Sequence, residues 1–140
     1  MPTPPRHGFI VVGRQGEEQL LKGWHERERD GRHGIAYRSS TEDGLLVLRR
    51  HPEATRLNLI LSGPVPLHGG VMRGYLIVNR QKHELPLAVD TWVLRSYPNP
   101  TEGDDIQVRL YLKDPIVPDN VLHNGDARRL GWYLSAIWQD

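Results

Sequence analysis

Glycine and proline interrupt this chain so often that little room is left for helices of ordinary length. The 140 residues include 14 Gly and 11 Pro, which fall between short apolar runs and not inside long ones. An amphipathic helix needs an apolar rhythm of 3.6 residues kept over ten or more positions, and the chain has almost none. The apolar runs are instead spaced by roughly 8–12 residues, which is typical of a β-sandwich or barrel.

The clearest strand signals are runs in which apolar and polar residues alternate. Side chains on a strand point to opposite faces in turn, so alternation predicts a strand with one buried face. Residues 106–112 and 56–62 follow this pattern most cleanly, and residues 75–78 are apolar throughout, as in a central strand. The sequence therefore predicts an all-β fold, an antiparallel β-sandwich of jelly-roll type with about eight or nine strands.

The length of the chain fits one domain. We expect a single β-sandwich domain over residues 8–140, preceded by a disordered N-terminal tail over residues 1–7. The long connection 114–131 is expected to pack over one end of the sandwich, because loops of this length usually carry structure of their own. The last strand, around residues 132–138, is expected at an edge of the sheet.

Charge and cysteine content exclude several classes of function. Lys and Arg number 18 against 17 acidic residues, so the chain lacks the basic excess of a nucleic-acid-binding protein. The alternating charges of residues 26–30 are typical of a solvated loop. Disulfides, thiol nucleophiles and cysteine-based metal sites are excluded, since the chain has no Cys. Without a signal peptide or an apolar stretch of ~20 residues, we expect a soluble cytoplasmic protein that does not insert into membranes.

No motif for catalysis is complete. The chain has seven His but neither an H-E-x-x-H nor an H-x-H pattern, and its serines lack the G-x-S-x-G elbow. The nearest cluster of metal-ligand residues could fold onto one ion, although such residues are also common on exposed hairpin loops. The sequence favours a protein that is not an enzyme and has no cofactor, with a small metal-dependent enzyme as the alternative. The residues of that cluster are His25, Glu26, Asp30 and His33.

Aromatic residues are the candidates for ligand binding. Exposed Trp or Tyr rings can stack on the apolar faces of sugar rings, whereas buried ones fill the core. We expect Trp24 and Trp92 in the core. Trp132 and Trp138 are six residues apart and are expected to share one face of the last strand. The predicted ligand-binding residues are Trp132, Trp138, Tyr111 and Tyr133.

Asp126 and Arg128 form the last cluster of interest. An Asp two residues before an Arg can make a charge-assisted, bidentate pair. We expect this pair to pin the long connection to the sheet, and an anion site is the alternative.

Three motifs, which follow one another along residues 20–138, carry a family resemblance. They are Gly23-Trp24-His25-x-x-Glu28, Leu57-x-Leu59-x-Leu61-Ser62-Gly63-Pro64 and Asp126-x-Arg128-x-Leu130-Gly131-x-x-x-Ser135-x-Ile137.

Together these motifs resemble the β-sandwich accessory domain of bacterial glycosyltransferases and associated methyltransferases of cell-surface polysaccharide synthesis. The resemblance implies a non-catalytic module that binds saccharide or assists a polysaccharide-building enzyme of glycosyltransferase type, whose catalytic domain is on another chain or was cut away. A structural or interaction domain, either a homodimer or a scaffold that binds a partner, is the other alternative.

Overall fold

The computed structural model describes residues 5–63, 73–86, 91–113 and 125–140. They form nine strands and one short 3-10 helix, Glu17–Gln19. The strands are β1 (Ile10–Val11), β2 (Leu20–Arg29), β3 (Ala36–Arg49), β4 (Arg56–Ser62), β5 (Arg73–Val78), β6 (Gln81–Pro86), β7 (Val93–Pro98), β8 (Asp105–Leu112) and β9 (Tyr133–Gln139).

All strand pairs are antiparallel, and the long strand β3 joins two layers. The strand order is β6-β5-β8-β3-β9-β4-β7, with β2 paired to β3 and β1 paired to β9. The end of β3 pairs with β8, whereas its beginning pairs with β9. His83 on β6 and Tyr97 on β7 lie with ring centroids 5.0 Å apart, so the two ends of this order face each other. The predicted antiparallel β-sandwich is confirmed.

The core lies between the two layers and follows the alternation of the strands. Every second residue of β8 is buried, beginning at Ile106, and the residues between them face solvent. Leu57, Leu59 and Leu61 of β4 supply the facing layer. Burying a Leu side chain contributes about 1.5–3 kcal/mol, so these rows account for much of the driving force for folding.

A β-bulge in β9 corrects the prediction that Trp132 and Trp138 share a face. Leu134 pairs with Leu61 and Ala136 with Ile60, so Ser135 is an extra residue on β9. The extra residue reverses the alternation. Trp132 consequently points into the core and is 2% exposed, whereas Trp138 is half-buried on the opposite face.

Two other expectations are also wrong. The charged run 26–30 is not a loop, because residues 26–29 belong to β2. This strand ends at Arg29, which pairs with Ala36 at the beginning of β3. Strand β9 is not at an edge, since it lies between β4 on one side and β1 and β3 on the other.

Part of the predicted domain organisation lies outside the described residues. Residues 1–4 of the predicted tail and 114–124 of the long connection belong to that part, so the domain boundaries stay a prediction. In the part of the chain that is described, no helix has the length and hydropathy to cross a membrane.

Candidate functional site

A cleft of about 250 Å³ opens at one end of the sandwich, where five strands begin or end. Antiparallel pairing brings the ends of β2 and β4 beside the beginnings of β3, β7 and β9. The lining residues therefore come from segments that are far apart in sequence. They are Arg29, Asp30, Gly31, Tyr37, Ser62, Gly63, Trp92 and Tyr133.

Three aromatic rings form one wall of the cleft. Ser39 of β3 pairs with Tyr133 of β9. Tyr37 lies two residues before Ser39 and is therefore the diagonal neighbour of Tyr133 on the same face. The rings of Tyr37 and Tyr133 stack with centroids 4.6 Å apart and an interplanar angle of 23°. The ring of Trp92 lies 5.6 Å from that of Tyr37 at 54°. The cleft thus presents a continuous aromatic surface.

Asp30 holds the indole of Trp92 in place. Trp92 Nε1 donates a hydrogen bond of 2.8 Å to Asp30 Oδ2, and His33 Nδ1 lies 2.9 Å from the same oxygen. The backbone N–H groups of Arg32 and His33 donate to Oδ1. The hydrogen bond from Trp92, followed by that from His33, holds the pKa of Asp30 well below its usual range. Asp30 is therefore ionised and acts as a fixed acceptor.

The two phenols stay neutral over the working range of pH. Burial, followed by the charge of Glu28, raises the pKa of Tyr37 above its ordinary value. Burial, followed by the neighbouring Tyr37, raises the pKa of Tyr133 in the same direction. A neutral phenol both donates and accepts a hydrogen bond, so these groups suit a ligand that carries hydroxyl groups.

An ionic network stands beside the aromatic wall. Arg128 Nε and Nη2 donate to the two carboxylate oxygens of Asp126 over 2.8 and 2.7 Å. Arg128 Nη1 also lies 3.3 Å from Glu28 Oε2 on β2. The network links the segment before β9 to β2, which is the geometry expected of a loop pin, although that role stays a prediction.

The pair formed by Asp126 and Arg128 predicts a weakening of the fold in acid. The hydrogen bond from Arg128 lowers the pKa of Asp126 from 3.8 to about 2. A carboxyl group with a lowered folded-state pKa stabilises the fold above its ordinary pKa, and this contribution disappears as the pH falls through the lowered value. We expect Asp126→Asn to cost up to about 1 kcal/mol at neutral pH, since the pair is partly exposed. Thermal unfolding at pH 7, 4 and 2 measures this loss.

The difference between Asp126→Asn and the wild type should shrink between about pH 4 and pH 2. Equal differences at pH 7 and pH 2 would contradict the assignment.

The cleft contains one of the four predicted ligand-binding residues, Tyr133. Trp132 is in the core and has no ring face open to a ligand, which removes it from the candidates. Trp138 lies further along the outer face of β9. Tyr111 is 38% exposed on the outer face of β8, where its ring stacks on that of Tyr75 at 6.4 Å.

The four predicted metal-ligand residues do not meet at one point. Asp30 and His33 contact each other, but His25 Nε2 lies 2.8 Å from the carbonyl oxygen of Arg129, and Glu26 is exposed on β2. Among the described residues, no group of three or more His, Cys, Asp and Glu could hold a metal ion.

Two residues of the aromatic wall, Tyr37 and Trp92, are not among the ligand-binding residues predicted from the sequence. Sequence reasoning places Trp92 in the core, whereas Trp92 is half-buried beside Asp30. Trp24, by contrast, packs against the core and donates from Nε1 to the carbonyl oxygen of Leu45. A signal was present, because Tyr37, Trp92 and Tyr133 each lie within two residues of the start of a strand.

Comparison with known proteins identifies the fold. The chain matches no protein-family model, and no curated protein is similar to it in sequence. It is similar in structure to a family 35 carbohydrate-binding module from an environmental isolate, with 10% identity and a TM-score of 0.51, over 86% of this chain and 88% of that one. It is also similar to a family 6 carbohydrate-binding module from Clostridium cellulolyticum in complex with xylose, with 12% identity and a TM-score of 0.50, over 96% and 97%.

A larger enzyme contains a similar domain. The chain covers 17% of a family GH115 4-O-methyl-α-glucuronidase with specificity for decorated arabinogalactans, and 94% of this chain aligns at 9% identity with a TM-score of 0.56. At such low identity these likenesses show the fold, a β-sandwich of the jelly-roll type.

Proposed function

We propose that this protein is a non-catalytic module that binds saccharide in the cleft formed by Tyr37, Trp92 and Tyr133. The observation that carries the proposal is the aromatic wall with a charged acceptor fixed at its edge. Aromatic faces pack against the C–H faces of sugar rings, and a few placed polar groups then select the hydroxyl pattern. The similar family 6 module in complex with xylose supports the same class of ligand.

Each lining residue has a role in this proposal. Trp92 supplies the largest stacking face, and Asp30 is a positioning residue because its oxygens already accept hydrogen bonds from Trp92, His33 and Arg32. Tyr37 and Tyr133 supply neutral hydroxyl groups. The guanidinium of Arg29 at the rim is exposed and donates from Nη1 to the carbonyl oxygen of Gly34, which holds the tip of the β2–β3 hairpin.

The lining also fits binding better than hydrolysis. Glycoside hydrolysis usually takes two carboxyl groups on either side of the scissile bond, one of them able to donate a proton. Among the described residues that line the cleft, Asp30 is the one carboxylate, and it is ionised. These described residues therefore fit a sugar without supplying a general acid.

Replacing Trp92 by alanine should reduce saccharide affinity at least about tenfold, as loss of a central aromatic anchor does. A glycan array finds the saccharides that bind the wild type, and a thermal-shift assay confirms each, because a ligand at 100 times its Kd stabilises the fold by about 2.7 kcal/mol. Isothermal titration then compares the wild type, Trp92→Ala and the control Leu21→Ala, which alters an exposed apolar residue on β2.

Equal affinity in Trp92→Ala and the wild type would reject the cleft as the site. If a folded wild type binds no saccharide on the array, the proposal itself is wrong. Sedimentation at several concentrations then tests the alternative of a homodimer or interaction domain.

The finer proposal is that the module assists an enzyme that builds surface polysaccharide. It is supported by the resemblance of the Gly23-Trp24-His25 and Asp126-x-Arg128 motifs to those of accessory domains of that kind. Proximity labelling in the source cells tests it. Recovery of a glycosyltransferase or methyltransferase supports the proposal, and a labelled set without such an enzyme contradicts it.

A further inference from the structure

The floor of the cleft continues along the outer face of β4 and β9. Ser62 pairs with Tyr133 in the cleft, Ile60 pairs with Ala136, and Asn58 pairs with Trp138. Because Ser135 is an extra residue in a β-bulge, Tyr133 and Ala136 share a face although they are three positions apart, and the residues of β9 in these three pairs all face away from the core. The outer face therefore carries an aromatic ring at each end of this stretch of β9.

The residue between the two rings is small. Ala136 is 8% exposed, so its methyl group lies low between the side chains of its two neighbouring strands. Ile60 flanks it on β4 and Val11 on β1, and both are half-buried. We call this apolar strip of β9 and its neighbours, from Tyr133 in the cleft to Trp138, the trough.

Fixed polar side chains border the far end of the trough. Asn58, which is 3% exposed, donates to Asp140 Oδ1 over 3.1 Å and accepts from Ser96 Oγ over 2.6 Å. Arg56 donates from Nε and Nη2 to the two carboxylate oxygens of Asp140 over 3.0 and 3.2 Å. Trp138 therefore stands beside oriented amide, hydroxyl and carboxylate groups, as the rings of the cleft stand beside Asp30.

We infer that the site takes an extended oligosaccharide, which begins in the cleft, crosses Ala136 and stacks a later sugar ring on Trp138. This inference rests on the proposed function of the cleft. Ser62 and Asn58 are separated by about 13 Å along β4, given a rise of about 3.3 Å per residue, so a single sugar ring cannot reach both aromatic positions. The continuity of the trough with the cleft, and the polar border at Trp138, favour a glycan chain over a second protein.

Chain length separates the two aromatic positions in an experiment. Isothermal titration measures the affinity of the full chain for xylose to xylohexaose and for glucose to cellohexaose. In the wild type, affinity should rise with chain length and then level off. Trp138→Ala should bind the monosaccharides within about twofold of the wild type, and should lose about tenfold in affinity for the hexasaccharide it binds best, as loss of one aromatic contact does.

Three further variants control the result. Trp92→Ala should lose affinity at every length, Trp138→Phe should recover part of the loss, and Leu21→Ala should behave as the wild type. If Trp138→Ala matches the wild type at every length while Trp92→Ala does not, the cleft is correct and the extended site is wrong. An equal loss for mono- and hexasaccharides in Trp138→Ala also overturns it. A folded wild type that binds neither series and no saccharide on the array overturns the cleft as well.

Discussion

Replacing Trp132 by alanine is expected to lower the free energy of unfolding by about 3–5 kcal/mol, the usual cost of removing a large buried aromatic side chain. The ring is 2% exposed and is one of the largest fully buried side chains of the described core. It packs so closely over Gly74 that a Cβ atom there would overlap its six-membered ring. Its Nε1 donates to the carbonyl oxygen of Tyr111 over 3.2 Å, so the substitution also leaves that oxygen without this donor.

Urea unfolding of Trp132→Ala and Trp138→Ala tests the assignment of these two residues to opposite faces. Trp138 is half-buried on the outer face, so its loss should cost about 1 kcal/mol or less. Equal losses would mean that the β-bulge does not separate the two rings. A folded sample of Trp132→Ala should bind saccharide as the wild type does, since the ring does not line the cleft.

The sandwich could be predicted because a strand that is buried on one face has apolar residues at every second position of its sequence. Strand β8 alternates without a break from Ile106 to Leu112, because it has one face in the core and one in water. Strand β4 keeps Leu57, Leu59 and Leu61 on its core face, although Ile60 interrupts the alternation. The number and antiparallel arrangement of the strands followed from these runs.

Strand β2 shows where this signal ends. From Leu20 to Arg29 no residue is fully buried and only Leu20 and Trp24 pack against the core, so most of the strand has no apolar face. The strand is held by its backbone pairing with β3, which any sequence without proline can make. A run such as Glu26 to Arg29 therefore has the composition of a loop and the conformation of a strand.

The β-bulge at Ser135 could not be found locally either. Ser135 is an extra residue between the pairs Leu134–Leu61 and Ala136–Ile60. Both pairs join residues that are more than 70 positions apart in sequence. A single inserted residue then reverses which face every later side chain takes. Trp132 and Trp138 keep an even spacing in sequence and still end on opposite sides.

Of the three aromatic residues in the wall of the cleft, only Tyr133 was predicted, for a related reason. Tyr133 is an aromatic residue at a strand start, and sequence reasoning selects it on its chemistry. The partners Tyr37 and Trp92 lie 96 and 41 positions before it, and only the topology brings these strand ends together. The hydrogen bond from Trp92 to Asp30 holds Trp92, a residue type suited to the core, in the aromatic wall of the cleft.

Replacing Gly23 by alanine is expected to cost about 3 kcal/mol, the sum of a left-handed backbone and an overlap that cannot relax cheaply. Gly23 has φ +77°, and a Cβ there would overlap the backbone carbonyl of Asp43 on the neighbouring strand. Backbone atoms cannot turn aside as a flexible side chain can, so β2 and β3 would have to move apart. The next residue, Trp24, donates to the carbonyl oxygen of Leu45 and would lose its position. Urea unfolding measures the loss.

Gly31→Ala is the matched control for Gly23→Ala, because Gly31 has ordinary φ and no atom within 4 Å of the added Cβ. It should stay within about 0.5 kcal/mol of the wild type. If both variants are equally stable, the close approach of β2 to β3 at Gly23 is not what requires glycine there. If only Gly23→Ala is destabilised, the Gly23-Trp24 motif is explained by the packing of two strands. The same motif then needs no ligand contact to account for it, which leaves recognition to the aromatic cleft at the far end of β2.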